Sequence, residues 1–196
     1  MPRRVENRIQ KKHAVTILGE GITEQHYFTH IRTLFGYNYT IKPYYFSVTS
    51  LTEMDKKIAE AITDGGYAIA VFDADVANRN DIEKRKLESI RKKYANKRNV
   101  IICDSYTSIE YWFLLHFENT NKFFKDSDAT EKELRKHIPD YEKKSKFLHN
   151  FKWVSDLCSE GKLDLARERA EYFGQNGESY SNIYTAFELL DKLKQV

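Results

Sequence analysis

The chain has 196 residues, which suits one domain able to bury a proper core. Its longest apolar runs fall short of a bilayer span, which argues against a membrane-spanning helix. The net charge of +3 permits contact with nucleic acid without arguing for it.

Residues 1–12, MPRRVENRIQKK, are basic, lack the apolar stretch of a secretory signal, and read as a short arm. Residues 14–19 read as a strand ending in Gly19-Glu20-Gly21. Thr23 is placed to cap a helix running to about Phe35, with Glu24 in its first turn and Gly36 at its end. YTIKPYYFSV (39–48) reads as an aromatic strand, and Pro43 marks an edge or irregularity in it. Ser50-Leu51-Thr52-Glu53 has the capping-box pattern and opens a helix to about Thr63. Asp64-Gly65-Gly66 is a turn. YAIAVFDAD (67–75) is apolar enough to be a strand buried on both faces. Asp81 begins a long charged helix to about Tyr94, and NVIICDS (99–105) is a fourth strand.

Strand and helix thus alternate through the first 105 residues, the signature of a parallel sheet covered by helices. A second capping-box pattern, Thr107-Ser108-Ile109-Glu110, opens the very apolar helix EYWFLLHF and accounts locally for Glu110. Only helical periodicity follows, at roughly 130–137, 141–159, 163–172 and 180–194. The expected division is a basic arm over 1–12, an α/β core over 13–117 and a helical C-terminal region over 118–196 packed on it. Cys103 in a strand and Cys158 in a helix indicate a reducing compartment without disulfides.

In such sheets ligands bind beyond the C-terminal strand ends. Glu20, Asp73, Asp75 and Asp104 all fall there. Strand alternation puts Asp73 and Asp75 on one side, and Gly19 and Gly21 let the turn tighten and a ligand approach. Converging carboxylates repel, and a hard divalent cation, Mg²⁺ or Mn²⁺, relieves the conflict. Taken singly, each acid has a plainer role. Glu20 suits a turn, Asp73 and Asp75 suit caps, and Asp104 suits a helix cap better than a metal. Glu20 combined with Asp-x-Asp at a matching strand end is what points to a metal site.

An acid at the first strand–helix turn followed by Asp-x-Asp on a later strand resembles the Toprim domain. More narrowly, EGITEQHYF, FDADV, SIEYWFLLHFE and YSNIYTAFELLDKL resemble, in order along nearly the whole chain, blocks of the RloB family. The resemblance implies a Toprim-like (Rossmann-like), mainly parallel four-stranded sheet flanked by helices, with a C-terminal helical lobe. It implies a cytoplasmic bacterial nuclease of restriction or abortive anti-phage systems, often paired with an AAA/ABC-type (RloA-like) ATPase. Residue by residue, Glu20 matches the acid/base or metal-binding glutamate, and Asp73 and Asp75 match the metal aspartates. Glu24 matches the second acid of the opening motif. Glu110, Trp112, His116 and Phe117 match the family block. Ile22-Thr23 departs from the paired threonines of many relatives, which weakens hydroxyl support for the turn. OLD-type relatives use a basic residue near the phosphate, for which Lys143, Lys144 and Lys146 are the candidates.

His116 shares a helix stripe with Ile109, Trp112 and Phe113, which favours packing over catalysis; Trp112 and Phe117 read as core. Two other functions remain open. One is a haloacid-dehalogenase-like phosphatase with Asp73 as nucleophile, although the motif lies on the third strand rather than the first. The other is a non-catalytic Toprim-like interaction module, silent until an ATPase or a phage component binds or releases it, with a homo-oligomer also open. Thirteen tyrosines and twelve phenylalanines are enough to place some aromatics at a partner surface.

Overall fold

The computed structural model describes residues 14–41, 50–75, 80–174 and 178–194. The expected N-terminal arm and most of the expected 39–48 strand lie outside these residues. The elements are β1 (Val15–Gly19), α1 (Ile22–Phe35), β2 (Thr40–Ile41), α2 (Leu51–Ala61), β3 (Tyr67–Asp73), α3 (Asp81–Tyr94), β4 (Val100–Tyr106) and α4 (Ile109–Leu114). They continue as α5 (Ser127–Leu134), α6 (Ser145–Leu148), α7 (Lys152–Leu157), α8 (Lys162–Phe173), β5 (Tyr180–Ser181) and α9 (Tyr184–Lys194).

The strands form one sheet in the order β2-β1-β3-β4-β5. The first four are parallel and β5 runs antiparallel to β4. Among the described residues the sheet therefore has five strands rather than the expected four. The added one comes from the region expected to be purely helical, where two residues are too few to show a period. β1 leads outward to β2, whereas β3 leads the other way to β4, so the connections diverge between β1 and β3. Right-handed crossovers then put α1 on one face and α2 and α3 on the other. The contacts agree: Lys93 and the Tyr94 hydroxyl of α3 reach Asp55 of α2, each at 2.7 Å. Lys194 of α9 reaches the Phe35 carbonyl at the end of α1. The crevice where the connections diverge is where such sheets take ligands.

β1 and β3 are buried along nearly their whole length, as unbroken apolar runs require. Gly36 ends α1 in the left-handed region, and the Ser50 hydroxyl accepts the Glu53 amide to start α2. α4 is entirely buried and is the hub of the α1-side core. Its Trp112 indole donates to the Tyr27 hydroxyl of α1 at 2.7 Å, and Phe113 packs on Trp153 of α7.

Asp104 does not join the other acids. Its register partner on β3 is Phe72, whereas Asp73 pairs with Ser105. One residue of offset turns a side chain to the opposite face. Asp104 is fully buried and is bound by Arg91, by the Tyr180 hydroxyl at 2.7 Å and by the Asn182 amide at 3.0 Å. This network ties α3 and the returning chain at β5 to β4, so the C-terminal region finishes inside the α/β layer. Asp104→Ala strands the half-buried Arg91 and two buried polar groups. Urea denaturation is expected to show a loss of about 3 kcal/mol.

Candidate active site

β1 delivers Glu20 and β3 delivers Asp73 at adjacent strand ends, since Gly19 and Val71 are register partners. Gly21 is the N-cap of α1, not Thr23, which is buried in the first turn. The Gly21 amide donates to Glu24 Oε2 at 3.0 Å. The backbone at Gly21 is extended, with φ −145, so it does not need glycine for its angles. It needs glycine for space: a Cβ there would lie 3.1 Å from Glu24 Oε2. Glu24 is 5 % exposed and fixes the turn that presents Glu20, whose own side chain reaches solvent.

Asp73 Oδ1 accepts the Ile109 amide at 3.0 Å, which couples the end of β3 to the start of α4. β3 stops at Asp73, and Asp75 is already in a helical conformation, so strand alternation does not relate the two. Asp75 nevertheless contributes to the field that Glu20 feels.

Glu110 is not explained by a capping box. Thr107 turns away to the Thr130 hydroxyl, at 2.7 Å. The Glu110 carboxylate is fully buried and accepts from the Ser108 hydroxyl at 2.6 Å and the Tyr141 hydroxyl at 2.6 Å. Lys143 Nζ lies 3.0 Å from the same carboxylate. Of the three candidate lysines only Lys143 reaches the acids. Lys144 pairs with Glu142 at 3.2 Å, and Lys146 is exposed on α6.

The charges set the chemistry. Burial and the Glu24 carboxylate raise Glu20 from 4.5 to about 7. Burial and Glu110 raise Glu24 to about 7. Asp73 is raised well above the carboxylate range by burial, then by Glu24, Glu110 and Glu20. Burial opposes the charge on Lys143, but Glu110 and Asp73 outweigh it and raise its pKa. One lysine thus faces several carboxylates that cannot all ionise together.

His116 is 2 % exposed, and burial lowers its pKa to about 3. Its Nδ1 donates to the Trp112 carbonyl at 3.0 Å and its ring packs edge-on to Trp112. It is a neutral packed ring. Trp112 is core, whereas Phe117 is half-buried and stacks on His137. Two clefts of about 550 and 660 Å³ open on the helical region, and neither is lined by Glu20, Glu24 or Asp73. The carboxylates stand instead at the sheet edge.

The RloB-like protein family model matches residues 15–192, nearly the whole chain. The chain belongs to the RloB-like family. Comparison with curated proteins and with solved structures yields no significant match. The matched span holds every carboxylate of the site together with Lys143 and Tyr141. Tyr141 escaped sequence reasoning because its partner Glu110 lies 31 residues away and no local pattern links them.

The raised acids make a signed prediction. A carboxyl whose folded pKa exceeds its unfolded value stabilises the fold below the unfolded value, and that contribution fades as pH rises through the folded value. For Glu24 the window is about 4.5 to about 7. Without divalent cations the melting temperature of this RloB-like protein is expected to fall across that window, and less so in Glu24→Gln.

Proposed function

We propose that this RloB-like chain is a Mg²⁺- or Mn²⁺-dependent nuclease with a Toprim-like site, hydrolysing phosphodiester bonds of DNA or RNA. The observation that carries the reading is the meeting of Glu20, Glu24 and Asp73 where the sheet connections diverge. Each is held above its ordinary pKa by burial and by a carboxylate neighbour. That repulsion is what a divalent cation would relieve.

The donor set fits a loosely held cation rather than a closed cage. Among the described residues no group of three or more His, Cys, Asp and Glu side chains forms a ready metal site. Mg²⁺ asks for less, being held by one or two carboxylates with waters and substrate phosphate. Glu20, Asp73 and Asp75 would hold it. When bound, the cation would polarise the phosphorus centre and ease ionisation of water.

The chain's own groups divide the remaining work. Glu20, titrating near neutrality and reachable by solvent, can take or give a proton at working pH. Glu24 holds the turn through the Gly21 amide. Lys143, oriented by Glu110 and so by Tyr141 and Ser108, supplies a fixed positive charge for a phosphate oxygen. Asp73 closes the third strand rather than the first, and its Oδ1 is taken up by the Ile109 amide, which counts against the phosphatase reading.

The family setting extends the proposal to anti-phage defence in the bacterial cytoplasm, with an AAA/ABC-type ATPase as partner. No helix among the described residues is long and apolar enough to cross a membrane. On the outer side of α8, Leu165 and Tyr172 lie two helical turns apart and are 43 % and 83 % exposed, a surface open to the ATPase or to a second copy.

A cleavage assay on labelled DNA and RNA, with and without Mg²⁺ or Mn²⁺, tests the reading. Wild type is expected to cleave only with the cation. Glu20→Gln should cost about 10²–10⁴-fold, and Asp73→Asn should abolish cleavage. Lys143→Ala should cost about 10–100-fold. Cleavage that persists in both carboxylate variants would remove this site from the reaction.

A further inference from the structure

The exposed stripe of α1 starts beside Glu20. Ile22, His26, Thr29 and Thr33 recur at helical spacing and are exposed or half-buried, whereas Glu24, Tyr27 and Phe28 face inward. Ile22 is 42 % exposed, and His26 lies about 6 Å further along the axis.

The segment 143–152, KKSKFLHNFK, runs alongside this stripe. The buried His30 Nε2–H of α1 donates to the Leu148 carbonyl at 2.8 Å and pins the turn between α6 and α7. That turn places the exposed His149 ring 4.3 Å from the His26 ring, tilted by 55°. It also sets Phe151, 38 % exposed, edge-on to His30 at 5.6 Å. His26 is lowered below its ordinary pKa by burial, then by His149 and His30, so it presents a neutral ring near pH 7.

The same segment carries four lysines and no acid, and its first residue is the Lys143 that touches Glu110. Lys146 is exposed. Among the described residues Lys144 and Lys152 pair at the surface with Glu142 and Asp156, contacts that are worth little and can be exchanged for phosphate. The rings therefore lie along α1 from the Glu20 turn, while Lys146 and Lys152 of the same segment line the neighbouring clefts of the helical region.

We infer that the ledge formed by Ile22, His26, His149 and Phe151, with the lysines of the same segment beyond it, binds single-stranded nucleic acid and leads it to the carboxylates. The inference rests on the nuclease reading and adds the class of strand. Rings at a surface gain from base faces, and only unpaired bases offer their faces; in a duplex these are already stacked. The lysines follow the phosphates.

Fluorescence anisotropy of the full chain tests this, using a labelled single-stranded oligonucleotide and its duplex, with Ca²⁺ present to neutralise the carboxylates. The single strand is expected to bind more tightly. His149→Ala and Phe151→Ala should each weaken it about tenfold with little change in salt dependence, and Phe151→Trp should restore binding. Lys146→Ala should lower the salt slope by about one. Both rings are exposed, and unchanged circular dichroism will confirm folding. Ring variants that bind like wild type, a preference for duplex, or binding of neither probe would each overturn the ledge. Divalent-dependent cleavage separates the two levels. Its loss in Asp73→Asn alongside normal binding by the ring variants would keep the nuclease and discard the ledge. Cleavage unchanged in Asp73→Asn would discard the nuclease reading itself.

Discussion

The crowding of carboxylates around Lys143 is the constraint on which the rest of the molecule turns. Glu20 and Glu24 share the first strand–helix turn, whereas Asp73 and Glu110 come from two other stretches of chain, and burial makes their mutual repulsion expensive. A fold keeps such a cluster only if its surroundings hold it firmly. The strand ends of β1 and β3, the inward-facing side of α1 and the start of α4 all do so.

The holding is done by backbone amides and apolar packing more than by counter-charge. Glu24 is anchored by the Gly21 amide and Asp73 by the Ile109 amide. Both amides belong to helix starts, where unpaired N–H groups point outward and favour negative charge. Behind them Trp112, Phe113, Tyr27 and Trp153 lock α1, α4 and α7 into one aromatic block. Tyr141 joins that block through Phe113 and Trp153 while its hydroxyl holds Glu110. The same packing thus sets the position of the carboxylate that orients Lys143.

What the sequence disclosed depended on range. Periodicity and strand-end logic located β1, α1, β3 and β4 and brought Glu20 and Asp73 to one edge, because those signals are local. Strand-end logic does not choose a face, and so Asp104 was grouped with acids from which a one-residue register difference turns it away. The pattern at Thr107–Glu110 looked complete in itself and hid the pairing of a buried glutamate with the exposed Lys143. Choosing Lys143 over Lys144 and Lys146 required the fold, since the deciding contact spans 33 residues and the three lysines look alike in sequence. β5 was hidden for a different reason: its two residues gain their identity only from pairing with β4.

Acids that await a cation must show it by releasing protons when the cation binds. Groups held protonated near neutrality must lose protons when a metal takes their place. Calorimetric titration of the full chain with Mg²⁺ or Mn²⁺ near pH 7, in two buffers of different ionisation enthalpy, measures that number. Wild type is expected to bind with net proton release, and Asp73→Asn to bind more weakly and release fewer protons. No binding, binding without proton release, or identical behaviour of the variant would contradict this expectation.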